Sequence, residues 1–386
     1  MDIRPKCDIL EVLKNPKNGK FCCVVAPMVR YSRLEFRSLA RNYGADICFT
    51  PMTIANSFIR SEKCRQVEFT TNLEDNPVIA QFAANCTTDF LYATQMIQNY
   101  VDGVDLNCGC PQKWAKEDGY GCYLLKKSEV IEDMMKTVRR NTPSDFSVSI
   151  KIRLLTKDIK NTVELCRQLQ SLNVSFITVH GRTPSEKSSS DNPVDYEAIT
   201  EIKKSLSIPV IFNGDVSSLD DANKFYEHTR CDGFMSARGM LANPALFAGY
   251  KETPVSCIHD WIDIHHQQND RMTFQNFHHH LVFMMESMLN KAERNLFNDF
   301  TKKKQCLEFL EEKFSLTPKP INFPQNTLCT YDDSNYKQLI SNEEFWRSSY
   351  TSESSHGQFF LSKLHKIKTK NDDYLEFMDN CSDLFS

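Results

Sequence analysis

Val101-Asp-Gly-Val-Asp-Leu-Asn-Cys-Gly-Cys-Pro-Gln112 is an apolar run that stops abruptly. Val101–Leu106 reads as a buried strand, and Gly109 and Pro111 break it. The break leaves the thiol of Cys110 and the amide of Asn107 at the strand's C-terminal lip. In parallel α/β folds that lip is where chemistry is done.

Working outward, the same kind of short, apolar, β-branched run recurs at Phe21–Ala26, Ile47–Thr50, Pro77–Phe82, Ser147–Ile152, Phe176–His180, Pro209–Asn213 and Gly233–Ala237. With Gly103–Asn107 these make eight strands over about 230 residues, close to the typical ~250 of a barrel. Amphipathic runs separate most of them, marked by Leu34, Leu39 and Tyr43, by Val130, Met134 and Val138, and by Val163, Leu165, Leu169 and Leu172. The alternation predicts an α/β protein built on a (β/α)8 TIM barrel over residues 20–250, after an N-terminal segment 1–19. A doubly wound open sheet is the rival, but no GxGxxG fingerprint follows the first strand.

Residues 251–316 change to a purely helical pattern. Its stripes are Ile258, Trp261, Ile262 and His265, then Leu281, Met284, Met285, Met288 and Leu289, then Leu307, Leu310 and Phe314. This predicts a small all-helical domain. The run His278-His-His280 invites a metal reading, but consecutive helical positions point in different directions, so packing or solvation is the better account. Pro318, Pro320 and Pro324 end the helices. The polar extension 317–386 is expected to be weakly ordered, with short helices near Glu343–Tyr350 and Phe359–Lys366.

Whole-chain properties narrow the function class. At 386 residues, length alone allows two to three domains. The chain is 41% hydrophobic and 25% charged, and no apolar run approaches the ~20 residues of a membrane span. The N-terminus lacks the apolar core of a signal peptide. The expectation is an intracellular protein, cytoplasmic and/or nuclear, monomeric and without a membrane partner. Fifteen cysteines, an odd number with no zinc-spaced CxxC pairs, read as reduced thiols and not as disulfides or a metal site. Cys22, Cys23 and Cys48 fall inside strands as small hydrophobes. Net charge is -4, yet Ala26–Arg65 holds seven basic residues (Arg30, Arg33, Arg37, Arg41, Arg60, Lys63, Arg65) against three acidic ones. A solvated helix face explains such an excess more often than a phosphate-binding patch.

The strand ends carry the chemistry. Barrels of this kind commonly bind phosphate at the loops after strands seven and eight, and here those loops read Asn213-Gly214-Asp215 and Ala237-Arg238-Gly239. Strand one ends in Ala26-Pro27-Met28, strand three carries Gln81, strand five carries Lys151 and Arg153 on one face, and strand six ends in His180-Gly-Arg182. Any one of these is ordinarily a tight turn or a satisfied polar residue. Together they strain that account. The simplest common ligand is flavin mononucleotide (FMN), a flat polar-edged ring with one phosphate. A free thiol titrates near ~8.5, so Cys110 is mostly protonated at neutral pH and can complete a reduction as the proton donor. Cys108 alternates to the other face and Cys122 follows Gly119-Tyr-Gly121; both are read as packing. No Ser-His-Asp or Cys-His-Asn arrangement favours hydrolysis.

Taken in order, Ala-Pro-Met, Asn-Cys-Gly-Cys-Pro, Lys-Ile-Arg, His-Gly-Arg-Thr, Asn-Gly-Asp and Ala-Arg-Gly resemble the tRNA-dihydrouridine synthases over residues 20 to 316. Leu241-Ala-Asn-Pro-Ala-Leu-Phe-Ala-Gly249 and Pro193-Val-Asp-Tyr196 are most similar to the eukaryotic branch acting at D-loop positions 20a and 20b. The resemblance implies reduction of the uridine C5–C6 bond by FMN, itself reduced by NADPH, with proton donation by Cys110. It implies that Ala26, Pro27, Met28, Gln81, Lys151, His180, Asn213, Gly214, Asp215, Ala237 and Arg238 hold FMN, and that Asn107 and Arg153 meet the uracil. The basic excess of 26–65 and the helical domain would grip tRNA, with the target uridine splayed out to reach the flavin. Two departures stand out. Cys122-Tyr123 replaces small residues near the active-site loop, and Ser185–Ser190 replaces a more basic stretch. Two alternatives stay open: an FMN-dependent reductase of a free pyrimidine, and a tRNA-binding protein without turnover.

Overall fold

The computed structural model describes residues 6–186, 192–268, 272–324 and 327–328. Eight strands close into a parallel ring: β1 Cys22–Val25, β2 Ile47–Phe49, β3 Val78–Ala83, β4 Gly103–Cys108, β5 Ser147–Arg153, β6 Ile177–His180, β7 Val210–Asn213 and β8 Gly233–Ser236. Each pairs with its chain neighbour, β1 pairs with both β2 and β8, and β2 pairs with β3, so no barrel strand is left as an edge. All eight expected strands are present, each within a residue or two of its predicted bounds. Burial is continuous along β1 to β4, as strands covered on both faces require.

The N-terminal segment seals the lower end of the ring. Asp8 caps the Ile9–Lys14 helix through the backbone N–H groups of Leu10 and Glu11. Ile9 and Leu13 are buried, Cys22 Sγ donates to the Val12 carbonyl, and the Cys7 N–H donates to Asp102 just before β4.

Helices Val255–Gln268, Phe274–Met284, Lys291–Asn298 and Lys303–Phe314 follow the barrel and belong to the same compact unit. The seam is aromatic. The His280 ring stacks on Phe36 of the Leu34–Asn42 helix at 4.6 Å and lies 4.6 Å from Trp261. Burial holds the His280 imidazole neutral, down at about 3. His278 stacks between Phe274 and Phe297 and bonds the Phe297 carbonyl. His278 and His280 are therefore core packing, while His279 between them is exposed. Asn276 Nδ2 donates to the Arg30 carbonyl, and the Tyr43 hydroxyl to Asp260 Oδ2 at 2.8 Å, adding polar ties across the seam.

Four of the seven basic residues of 26–65 (Arg33, Arg37, Arg41 and Arg65) turn inward as bracing, while Lys63 stays exposed. Arg37 is buried and reaches Asp75 through Nε and Nη2, while Arg41 Nη2 reaches the same carboxylate at 3.1 Å. Arg33 and Arg65 spend donors on the carbonyls of Val67 and Phe58. The guanidinium fork suits this use, since it satisfies carbonyls and a carboxylate at once. The helices expected near 343–350 and 359–366, and the rest of 329–386, lie outside the described residues.

Asp75 is the keystone of that bracing. Burial alone would raise its carboxyl, but Arg37 and Arg41 outweigh that and hold it down to about 2. A group depressed in the folded state stabilises above its unfolded value of 3.8, and that stability is lost as pH falls from there towards 2. Asp75→Asn leaves Arg37 buried without its counter-charge and should cost about 3–5 kcal/mol in chemical denaturation at pH 7. A loss under about 1 kcal/mol would remove the pair from any structural role.

Candidate active site

The strand ends deliver their side chains to one mouth because inward positions recur every second residue. On β3 and β4, Gln81, Asp105 and Asn107 are buried and bonded in series. Gln81 Nε2 donates to Asp105 Oδ2 at 2.8 Å, and Asn107 Nδ2 donates to Gln81 Oε1 at 2.8 Å. Asn107 Oδ1 then accepts from the backbone N–H groups of Gly109 (3.2 Å) and Cys110 (3.1 Å). Asp105 Oδ1 accepts from Ser149 Oγ of β5 at 2.7 Å. Burial pushes the Asp105 carboxyl up to about 6, with Ser149, Gln81 and Lys151 pulling it back.

Cys110 sits just past this chain, partly buried against the apolar cluster of Met52, Ala83, Ala115 and Tyr120. Its carbonyl accepts from the Cys122 N–H at 3.0 Å, which folds the 3-10 helix Gly121–Lys126 back onto the loop. Only glycine fits at 121. The backbone there has φ +61, and a Cβ would stand 2.4 Å from the Cys110 carbonyl oxygen. Burial pushes the Cys110 thiol up, opposed by the Gln112 backbone N–H; Cys122 adds to the rise, and Arg153 and Lys151 counter it. Cys108 is fully buried and Cys122 nearly so, as packing residues should be.

Strands five to eight line the other side with cations. Lys151 Nζ donates to Asn213 Oδ1 at 2.9 Å, and Asn213 Nδ2 donates to the Met235 carbonyl at 3.0 Å. Arg153 Nε donates to the Gly109 carbonyl at 2.9 Å, which ties β5 to the Cys110 loop, and its Nη1 reaches the carbonyls of Thr183 and Glu186. Burial lowers Lys151 to about 8, helped by Arg153. Burial also drives His180 well below its usual range, reinforced by Arg153, Lys151, Arg182 and Arg238, so its imidazole is neutral. Gly214, at φ +119, lies against that ring; a Cβ would stand 3.0 Å from His180 Cδ2. Arg238 is exposed just after β8 and makes no ion pair among the described residues.

Not every expected side chain is available for a ligand. The Asp215 carboxylate is taken by Arg182 Nη2 and the Val194 N–H. Met28 is buried, and its N–H and carbonyl both bond the Ser32 hydroxyl. Ala26, Pro27 and Ala237 lie at the ends of β1 and β8 as expected. Asp105, Ser149 and Arg182 are the site residues that reading by motif left unassigned. The period of two from Asn107, Lys151 and His180 would have pointed to the first two. No group of three or more His, Cys, Asp or Glu able to hold a metal occurs among the described residues, and no helix there is long and apolar enough to cross a membrane.

An eight-stranded parallel barrel with a thiol and a cluster of cations at its C-terminal mouth is an enzyme of the TIM-barrel class. The family model for dihydrouridine synthase (Dus) matches residues 24–326, and the chain belongs to that family. Among its relatives, the Mus musculus tRNA-dihydrouridine(20a/20b) synthase [NAD(P)+]-like protein is 47% identical over 298 residues, 77% of this chain and 90% of that one. The Homo sapiens protein of the same name is 46% identical over 301 residues, 78% of this chain and 93% of its own. The Schizosaccharomyces pombe tRNA-dihydrouridine(20a/20b) synthase [NAD(P)+] is 39% identical over 287 residues, 74% and 86% of the two chains.

The raised thiol has a direct readout. The alkylation rate of Cys110, followed by mass spectrometry of its peptide, should titrate with a midpoint above the ~8.5 of a free cysteine. A midpoint below that value would mean that the cations, not the apolar cluster, govern the sulfur.

Proposed function

We propose that this protein is a tRNA-dihydrouridine synthase that reduces the C5–C6 bond of uridine at D-loop positions 20a and 20b, using FMN and NADPH. Family membership and the names of its relatives support the reaction and the positions. The observation that carries the reading is the pairing, across one mouth, of a protonated thiol at Cys110 with the cluster of Lys151, Arg153 and neutral His180.

The donor set fits a flavin mononucleotide. Lys151 has three N–H donors and uses one on Asn213, Gly214 keeps the backbone clear beside His180, and Arg238 is open for a phosphate. Gln81, Lys151, His180, Asn213, Gly214, Ala237 and Arg238, with the backbone of Ala26–Met28 and of Asp215, would hold the cofactor. When bound, FMN supplies the hydride, with electrons drawn from NADPH.

The remaining chemistry is done by the chain. Cys110 holds a proton on sulfur at neutral pH because its apolar surroundings penalise the thiolate, and it gives that proton to C5 of the base. Arg153, anchored by Nε to the loop it shares with Cys110, presents its remaining edge to a uracil carbonyl. Asn107 contributes less to the base than its position implies: its oxygen is committed to the Cys110 turn, which leaves one N–H. Residues 20–250 form the cofactor-binding barrel in this reading, and 251–316 the tRNA-binding helices. The internally paired arginines of 26–65 drop out of the RNA-contacting set.

Cys110→Ala should lower dihydrouridine formation about 10²- to 10⁴-fold while retaining the flavin and tRNA affinity. Full turnover by that variant would refute the proton-donor role. Reoxidation of the reduced flavin should require tRNA; reoxidation by free uracil alone would sink the tRNA reading and favour a free-pyrimidine reductase.

A further inference from the structure

Asp105 has no surface exposed to solvent, and yet stands at the head of the hydrogen-bond chain that ends on Cys110. Carboxamide side chains can present oxygen or nitrogen to either neighbour, so a chain of two amides has no intrinsic polarity. An ionised carboxylate only accepts. Asp105 thus draws the Gln81 nitrogen towards itself, which turns Gln81 Oε1 to Asn107. Asn107 is then obliged to offer its nitrogen to Gln81, and its oxygen is left for the N–H groups of Gly109 and Cys110. Ser149, donating to the second oxygen of Asp105, keeps that carboxylate an acceptor on both sides.

We propose that Asp105 is a positioning residue that, through Gln81 and Asn107, sets the polarity of the amide chain and so fixes the turn that aims the Cys110 thiol. This rests on Cys110 being the proton donor. Reversing the chain would set an Asn107 N–H against the N–H groups of Gly109 and Cys110, a buried donor–donor conflict that the turn relieves by moving. The cost of such a movement falls on the reaction, since displacement of a reacting group by about 1 Å can cost about 100-fold in rate.

The test compares Asp105→Leu, which has no acceptor, with Asp105→Asn, whose amide can turn either its oxygen or its nitrogen to Gln81. Two quantities are read: dihydrouridine formation on tRNA in the wild-type and Cys110→Ala backgrounds, and the alkylation rate of Cys110. Asp105→Leu should lower turnover about 10- to 100-fold with Cys110 present but less than about 3-fold in Cys110→Ala. It should also change the alkylation rate at least about 3-fold, and Asp105→Asn, which keeps an acceptor but no longer dictates the direction, should fall between Asp105→Leu and wild type in both. Equal losses in the two backgrounds, or an unchanged alkylation rate in Asp105→Leu, would overturn the proposal. Should the leucine variant not fold, Asp105→Ser, too short to reach Gln81, is expected to give the same pattern. Wild-type turnover by Cys110→Ala alone would instead defeat the proton-donor reading, and the alkylation arm would still decide whether Asp105 sets the turn.

Discussion

Closing eight parallel strands into a ring is the constraint on which everything else in this molecule depends. A closed sheet has no edges, its strands are buried on both faces, and every second side chain points into one narrow space. At the mouth that space collects Gln81, Asp105, Asn107, Ser149, Lys151, His180 and Asn213 from five strands. Polar groups crowded in this way must satisfy one another, because water cannot. The order of bonds from Ser149 to Cys110 is the solution the barrel adopts.

The electrostatics follow from the same confinement. Lys151, Arg153, Arg182 and Arg238 converge on one side, while the carboxylates nearby are few. Asp215 is engaged by Arg182, and Asp105 by Gln81 and Ser149. The result is a mouth with an excess of positive charge around a neutral imidazole, and a thiol kept protonated on the opposite lip. Such a field favours an anionic ligand and stabilises negative charge that develops on a bound ring.

Much of this was legible in the sequence because it rests on local signals. β-branched runs and the glycines after them located all eight strands, and strand-end residues located Lys151, Arg153, His180 and Asn213 at the mouth. What escaped was pairing across the chain. Arg37 and Arg41 read as surface charge because their partner Asp75 is more than thirty residues away and comes near only when the ring closes. Asp105 was hidden for a related reason: in a strand that reads Val-Asp-Leu-Asn-Cys, its carboxylate gains meaning only from Gln81 and Ser149 on the flanking strands. Asn107 was legible as a mouth residue, but the bonds its oxygen accepts from the backbone two and three residues on were not. The histidine run was read as packing or solvation, and it is both: His278 and His280 are buried and His279 is exposed, although which rings they would meet was beyond any local pattern.

The seam between barrel and helices has a metric consequence. Asn276 holds the carbonyl of Arg30, a residue at φ +71 just beyond the Ala26–Met28 turn, and His280 is wedged between Phe36 and Trp261. The Phe274–Met284 helix and the loop that opens the mouth are therefore pinned to the same few residues of backbone, with an aromatic wedge in place of a hinge. On the proposed reading, an RNA resting on those helices meets Cys110 at a set offset. The enzyme would then choose its uridine as a caliper does, by the span between two fixed jaws, with little need to read the neighbouring bases.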